Sequence, residues 1–215
     1  RERGYGTYMV GKWHLTPAHE ITPSGPYGNW PVNRGFDRYY GFLSGCTDHY
    51  APELCQDNHH VDPPASESYH LTEDLCDRAI TYLRDHCAFR RSEPVYLNIC
   101  FGATHAPIQV ERRYIDPYVE VFEKGWDRTR EDRLARQKAL GLVPPETVLA
   151  ARNEEVPAWD TLTDNQKTLY TRLQAAYAGF LEHADEHLGR VVAELKRLGL
   201  YDNTIIVVMS DNGAS

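Results

Sequence analysis

The stretch from Thr163 to Met209 constrains the fold most, because a long amphipathic helix leads there directly into an apolar run. The capping box Thr163-Asp164-Asn165-Gln166 predicts the start of the helix, and Gly199 predicts its end. Apolar side chains recur between them at helical spacing: Leu169, Leu173, Ala176, Phe180, Ala184, Leu188, Val191 and Leu195. Residues 204–209 (Thr-Ile-Ile-Val-Val-Met) are typical of a central parallel strand that helices cover on both faces.

Two earlier segments also have strand character, Thr7 to Val10 and Val95 to Phe101. Between them, Thr72 is expected to cap a helix that ends near His86 and whose apolar stripe is Leu75, Ala79, Ile80 and Leu83. This alternation of strand and helix predicts an α/β fold with a mostly parallel central sheet flanked by helices.

Two regions do not follow the alternation. Residues 16–68 are rich in Pro, Gly and aromatic residues, and we expect long surface loops there. Residues 112–160 contain a charged segment, Asp127 to Leu140, that we expect to be helical with loops on both sides.

The charge balance argues against polyanionic binding partners. With 23 Lys and Arg against 31 Asp and Glu, the net charge of -8 disfavours binding to nucleic acid or to an anionic membrane surface. No apolar run approaches the length of a membrane span, and the first residues do not form a signal peptide. Five cysteines without dense spacing favour reduced thiols and a cytoplasmic protein, while a periplasmic or secreted location stays open.

Candidate functional residues follow each predicted strand. Lys12 and His14 come after the first, His105 after the second, and Asp211 and Asn212 after the third. If the first strand stays extended, Lys12 and His14 leave it on one face. Because ligands of open α/β sheets bind beyond the carboxyl ends of the strands, these loops are expected to converge. A lysine and two histidines suit a small, highly charged anion, and the carboxylate and amide oxygens suit Ca²⁺ or Mg²⁺.

Five ordered segments resemble motifs of the sulfatases. Residues 4–15 (Gly-Tyr-Gly-Thr-Tyr-Met-Val-Gly-Lys-Trp-His-Leu) are similar to the second signature of that family, and residues 35–42 (Gly-Phe-Asp-Arg-Tyr-Tyr-Gly-Phe) to the segment that follows it. Residues 103–107 (Ala-Thr-His-Ala-Pro) resemble its histidine loop, residues 125–127 (Gly-Trp-Asp) a feature of bacterial arylsulfatases, and residues 202–213 its metal strand.

The resemblance implies an alkaline-phosphatase-like fold and hydrolysis of a small-molecule sulfate ester. Lys12 would bind the sulfate and stabilise the nucleophile. His14 would hydrogen-bond a hydrated aldehyde nucleophile and help expel sulfate, while His105 would bind sulfate and assist the leaving oxygen. Asp211 and Asn212 would hold Ca²⁺, or Mg²⁺, against the sulfate oxygens.

One expected element of such a site is missing from the sequence. The family's nucleophile is a formylglycine, produced by dedicated machinery from a C/S-x-P/A-x-R motif, and none of the five cysteines lies in one. Residue 16 is Thr where the family usually has Gly. We therefore expect residues 1–215 to be the central part of one sulfatase catalytic domain, truncated at both ends and inactive alone. A phosphate or phosphonate monoester hydrolase and a noncatalytic binder of sulfated ligands stay open as alternatives.

Two other metal sites are conceivable. His183-Ala184-Asp185-Glu186-His187 fits the zinc-peptidase pattern H-x-x-E-H, but no third ligand is evident. We interpret these as solvated helix residues, with Asp185 as a candidate for burial.

The second conceivable site is a zinc site of Cys46, His49, Cys55, His59 and His60, whose spacing matches no common finger. His49, His59 and His60 could alternatively line the substrate entrance. For Tyr39, Tyr40 and Tyr50 we favour a packing role over ligand binding.

Overall fold

The computed structural model describes residues 3–210, which form two compact units. The described part of the first unit is residues 3–109 and 181–210, and the second unit is Val110–Phe180. The strands are β1 (Gly6–Lys12), β2 (Arg38–Phe42), β3 (Leu54–Gln56), β4 (His59–Val61) and β5 (Val95–Cys100). The α-helices are α1 (Leu71–Phe89), α2 (Arg112–Phe122), α3 (Gly125–Ala139) and α4 (Asp164–Arg197), the last of which starts in the second unit and ends in the first.

The first unit is built on a mixed five-stranded sheet in the order β4-β3-β2-β1-β5. β1 pairs in parallel with both β2 and β5, whereas β3 pairs antiparallel with β2 and β4. The predicted α/β class is confirmed. The expectation of loops throughout residues 16–68 was wrong, since β2, β3 and β4 all lie there. These strands are only three to five residues long, too short for a clear alternating pattern.

β1 is covered on both faces. Tyr8 and Val10 pack in one cluster with apolar residues of α1, and Met9 packs in another with Trp30 and Tyr39. Gly11 has a φ of 99°, and a Cβ there would lie 1.8 Å from the carbonyl oxygen of Cys100 in β5. Glycine therefore permits the close approach of the two strands whose ends carry candidate functional residues.

The predicted tyrosine packing is seen in β2. Tyr39 and Tyr40 are buried, and their hydroxyls donate to the Gly11 carbonyl at 2.9 Å and to a carboxylate oxygen of Asp74 at 2.5 Å. Burial and the Asp74 carboxylate both raise the pKa of Tyr40. Tyr50 lies outside this core and is 44% exposed.

Helix α1 packs on this sheet through the predicted stripe, which is buried. Its N-cap is His70, whose Nδ1 accepts a hydrogen bond from the Thr72 backbone N–H at 3.1 Å. The assignment of the cap to Thr72 was wrong by two residues, because an imidazole nitrogen replaces the usual hydroxyl or carboxylate cap.

Helix α4 has the predicted ends. The Thr163 N–H donates to Oε1 of Gln166 at 2.9 Å, and the Gln166 N–H donates to Oγ1 of Thr163 at 3.4 Å, as in a capping box. Gly199 ends the helix at a φ of 71°. Along the predicted stripe Phe180, Ala184, Val191 and Leu195 are buried, whereas Leu169 and Leu173 are about half exposed.

Residues 204–209 were expected to form a central strand, and this was wrong for the described chain. The run is not part of the sheet, and Ile205 and Val207 are 92% and 74% exposed. A strand requires a neighbouring backbone that satisfies its N–H and C=O groups, and none of the five described strands pairs with this run.

The second unit confirms the predicted charged helix as α3. The Gly-Trp-Asp segment has a structural role there, because Asp127 accepts hydrogen bonds from the Trp159 N–H and from Arg152, both at 2.9 Å. The Trp126 and Trp159 rings meet edge to face with centroids 4.8 Å apart. Helix α2 was missed, since its internal Pro117 argues against a helix.

None of the described helices is long and apolar enough to cross a membrane.

Candidate functional site

The parallel pairing of β1 and β5 brings two of the three predicted loops to one edge of the sheet. Gly11 is level with Cys100, so Lys12 ends β1 one residue beyond the last position that pairs with β5. The segment after β5 leads to His105 five residues past Cys100. The parallel-strand rule therefore holds for the ends of β1 and β5, which lead to Lys12 and His105.

The residues that follow β1 stay attached to the segment after β2. The Trp13 N–H donates to the Phe42 carbonyl at 3.0 Å, and the His14 N–H donates to the Leu43 carbonyl at 3.1 Å. In addition, Nε1 of Trp13 donates to the Asn29 carbonyl at 2.8 Å. Lys12 and His14 are therefore held on backbone that continues the sheet, with Lys12 half-buried and His14 exposed.

His14 has a left-handed backbone with a φ of 55°. An extended chain would have placed Lys12 and His14 on one face by simple alternation, so that argument does not apply here. The ring instead lies over Gly45, where a Cβ would come within 2.8 Å of Nε2. Left-handed backbone costs a non-glycine residue about 1 kcal/mol or more, so the surrounding hydrogen bonds hold His14 in this conformation.

His105 is exposed at the tip of the segment after β5. Its backbone N–H donates to the Gly102 carbonyl at 2.9 Å, and its Nδ1 lies 2.7 Å from the Ala106 carbonyl oxygen. Because a carbonyl oxygen can only accept, Nδ1 carries the proton of the neutral ring. Nε2 is then the nitrogen that can exchange a proton with a ligand.

A further histidine, His49, lies beside the start of this segment. A Cβ on Gly102 would come within 2.7 Å of the His49 ring. His49 is buried, its ring stacks on His70, and burial lowers its pKa to about 4. The suggestion that His49 lines an entrance was wrong, since its ring supports the segment from within; the sequence offered no signal for this burial.

The predicted zinc site of Cys46, His49, Cys55, His59 and His60 does not assemble among residues 3–210. Cys46, His59 and His60 are exposed, whereas Cys55 is buried. Sγ of Cys55 lies 3.7 Å from Nδ1 of His60. The antiparallel pairing of β3 and β4 places Cys55 opposite His60, but it does not bring the rest of the predicted set into one site.

The H-x-x-E-H residues of α4 also differ from expectation. His183 and His187 are buried, with 0% and 7% exposure, so their assignment to a solvated face was wrong. Asp185 and Glu186 are exposed, so the suggested burial of Asp185 was wrong as well. The remaining predicted site residues, Asp211 and Asn212, lie outside the described residues.

Comparisons with known proteins agree with the sequence motifs. The Sulfatase family matches residues 1–215. An uncharacterized sulfatase of Schizosaccharomyces pombe is 33% identical over 231 residues, which cover 100% of this chain and 40% of the relative. An arylsulfatase of Klebsiella aerogenes is 27% identical over 227 residues, covering 100% of this chain and 46% of the relative. The chain therefore spans less than half the length of these relatives.

A solved structure supports the fold. The YidJ protein of Bacteroides fragilis superposes with a TM-score of 0.59 at 23% identity, over 94% of this chain and 40% of that protein. The observed sheet and this likeness agree with the alkaline-phosphatase-like fold that the sulfatase motifs imply.

Proposed function

The chain belongs to the sulfatase family, and on that premise we propose that it supplies part of the site at which a sulfuric ester hydrolase of the arylsulfatase kind cleaves sulfate monoesters. One observation supports the proposal: β1 and β5 are parallel neighbours, so the segments that carry Lys12 and His105 leave the sheet at the same edge.

These side chains suit the charge changes of the reaction. A sulfate ester carries negative charge on its nonbridging oxygens, and more charge builds on the bridging oxygen as the S–O bond breaks. The Lys12 ammonium binds the nonbridging oxygens. The His105 Nε2, when protonated, donates its proton to the departing oxygen, while Nδ1 stays bonded to the Ala106 carbonyl. His14 orients the attacking group.

Asp211 and Asn212 supply the metal ligands of this proposal. A carboxylate and an amide carbonyl are hard oxygen donors, which fit Ca²⁺ and also Mg²⁺. When bound, such an ion withdraws electron density from the sulfate oxygens.

The sequence around the cysteines supports a nucleophile that lies elsewhere, since none of the five is in a C/S-x-P/A-x-R motif. Burial raises the pKa values of Cys55 and Cys76 to about 12, so neither thiol is reactive near neutral pH. We propose that the nucleophile is a formylglycine made by dedicated machinery in the full-length protein, and that residues 1–215 alone turn over no substrate.

The full-length protein tests this function with two matched substrates, an aryl sulfate and the corresponding aryl phosphate. We expect kcat/KM to favour the sulfate. Lys12→Ala and His105→Ala should each reduce it at least a hundredfold, whereas His19→Ala, at an exposed histidine with no assigned role, should leave it unchanged. Preference for the phosphate would support a phosphatase instead, and binding without turnover of either would support a noncatalytic ligand-binding protein.

A further inference from the structure

Three potential metal ligands meet between the first turn of α1 and α4, within the first unit. Glu73 comes from α1, and His183 and His187 lie one turn apart on α4. One oxygen of Glu73, Oε1, is 3.5 Å from Nε2 of His183 and 3.5 Å from Nε2 of His187. All three ligand atoms lie within 4.8 Å of one another.

The distances from Oε1 of Glu73 to the two histidine nitrogens fit a shared metal ion better than direct hydrogen bonds. A good N–H···O bond spans roughly 2.7–3.2 Å, so both contacts are long for that purpose. Ligand atoms about 2.0–2.1 Å from a tetrahedral Zn²⁺ lie about 3.4 Å from each other, which is close to the two separations seen here.

His187 supplies an independent indication. It is more than nine-tenths buried, and its Nε2, which faces Glu73, has no hydrogen-bond partner. A buried polar nitrogen without a partner destabilises the folded state, because it has lost its hydrogen bonds to water. A cation bound to Nε2 would remove this destabilisation.

The contact of His187 with Arg190 shows which ring proton a metal ion would displace. Nη1 of Arg190 lies 2.9 Å from Nδ1 of His187 and can only donate, so Nδ1 accepts and the neutral ring carries its proton on Nε2. Metal binding at Nε2 moves that proton to Nδ1 and releases this contact, while Arg190 keeps its second partner, Asp77. Burial lowers the pKa of His187, which favours the neutral ring that a metal requires.

The neighbouring His70 is not a ligand. Its ring meets that of His183 edge to face, with centroids 4.4 Å apart. Nδ1 of His70 accepts from the Thr72 N–H at 3.1 Å, and Nε2 lies 3.0 Å from the Gln109 carbonyl. Both ring nitrogens are thus engaged, and His70 serves as a wall of the site.

We propose that Glu73, His183 and His187 form a binding site for a zinc-class divalent ion that fastens the start of α1 to α4. Two imidazoles and one carboxylate are the donor set of borderline transition metals, whereas Ca²⁺ and Mg²⁺ prefer oxygen donors alone. Glu186, the base that a peptidase pattern would require, is exposed and is not one of the three clustered ligands.

Cobalt titration of the chelator-treated full-length protein tests the proposal. Co²⁺ bound by three N/O protein ligands and one water gives intense tetrahedral visible bands, whereas Co²⁺ in an all-oxygen six-coordinate site absorbs weakly. We expect one equivalent of tetrahedral Co²⁺, displaced by Zn²⁺, without the near-ultraviolet band of thiolate ligation. No tetrahedral spectrum, or one with thiolate character, would overturn the proposal.

Variants locate the ion. Glu73→Gln and His187→Gln should each weaken Zn²⁺ binding at least tenfold in calorimetry and abolish the rise in Tm that Zn²⁺ gives the parent protein. Glu186→Gln, the matched control one residue away, should behave like the parent. Equal Zn²⁺ affinity in the parent and in His187→Gln would overturn the assignment. If either variant does not fold, the Co²⁺ spectrum of the parent protein still decides.

Discussion

Gly11 of β1 and Cys100 of β5 are level in neighbouring parallel strands, so close that a Cβ on Gly11 would lie 1.8 Å from the Cys100 carbonyl oxygen. This approach sets the spacing of the two strand ends from which the proposed site is built. Gly11 precedes Lys12 directly, so the requirement for glycine is coupled to the position of the lysine.

Gly11→Ala is expected to destabilise the protein by about 2 kcal/mol or more, since it adds left-handed strain to a clash with backbone. Chemical denaturation measures the loss. Gly28→Ala is the control, because nothing lies within 4 Å of a Cβ at that position, and it should change stability by about 0.5 kcal/mol or less. Equal stabilities of the two variants would refute the close approach.

Gly45→Ala should affect activity more than stability. The new methyl group would meet the exposed His14 ring at 2.8 Å and push it aside. In the full-length protein we expect kcat/KM for an aryl sulfate to fall at least tenfold with little change in Tm. Unchanged kcat/KM would show that the position of this ring does not matter for turnover.

Burial of His49 predicts a dependence of stability on pH. Its folded pKa of about 4 lies below the unfolded value of 6.5, so the unfolded chain binds the extra proton first as pH falls. Stability from this group is complete above pH 6.5 and declines by up to about 3 kcal/mol as pH approaches 4. His49→Gln should flatten the profile of Tm against pH between 6.5 and 4, and parallel profiles of variant and parent would contradict the prediction.

The ion pairs of Glu194 predict a loss of folding stability at low pH. Its buried carboxylate accepts from Arg197 at 2.8 Å and from Arg84 at 2.7 Å, which lowers its pKa to about 2. Stability from the carboxylate is present above pH 4.5 and disappears as pH falls towards 2. Glu194→Gln should cost about 1 kcal/mol at pH 7, whereas Glu182→Gln, on the exposed face of α4, should cost nothing measurable. A constant difference from the parent down to pH 2 would argue against the ion pair.

The sequence predicted those helices and strands that have capping residues or long apolar runs of their own. Helix α4 was predictable because a capping box and a terminal glycine mark its ends, and β1 and β5 because their apolar runs are long enough to distinguish. The short strands β2 to β4 were missed, since their stability comes from pairing and from burial of Tyr39 and Tyr40. The run 204–209 has the composition of a strand but no described partner, and composition alone cannot supply one.

The candidate site also has features that the sequence predicted and features that it did not. The ends of β1 and β5, which lead to Lys12 and His105, were predictable as neighbours, because the carboxyl ends of parallel strands share an edge. The left-handed backbone of His14 was not, since it depends on hydrogen bonds to residues 42 and 43. Burial of His183 and His187 was missed for a similar reason. Their third neighbour, Glu73, is about 110 residues away in sequence, and only the packing of α1 on α4 brings it there.

The central claim is that the ends of β1 and β5 act together on one sulfate group. A double-mutant cycle of Lys12→Ala and His105→Ala, measured as kcat/KM for an aryl sulfate in the full-length protein, tests it most directly. We predict that the double variant loses less than the product of the two single losses, by roughly tenfold or about 1.4 kcal/mol of coupling. Two large single losses that multiply without coupling, or single variants as active as the parent, would contradict a shared site.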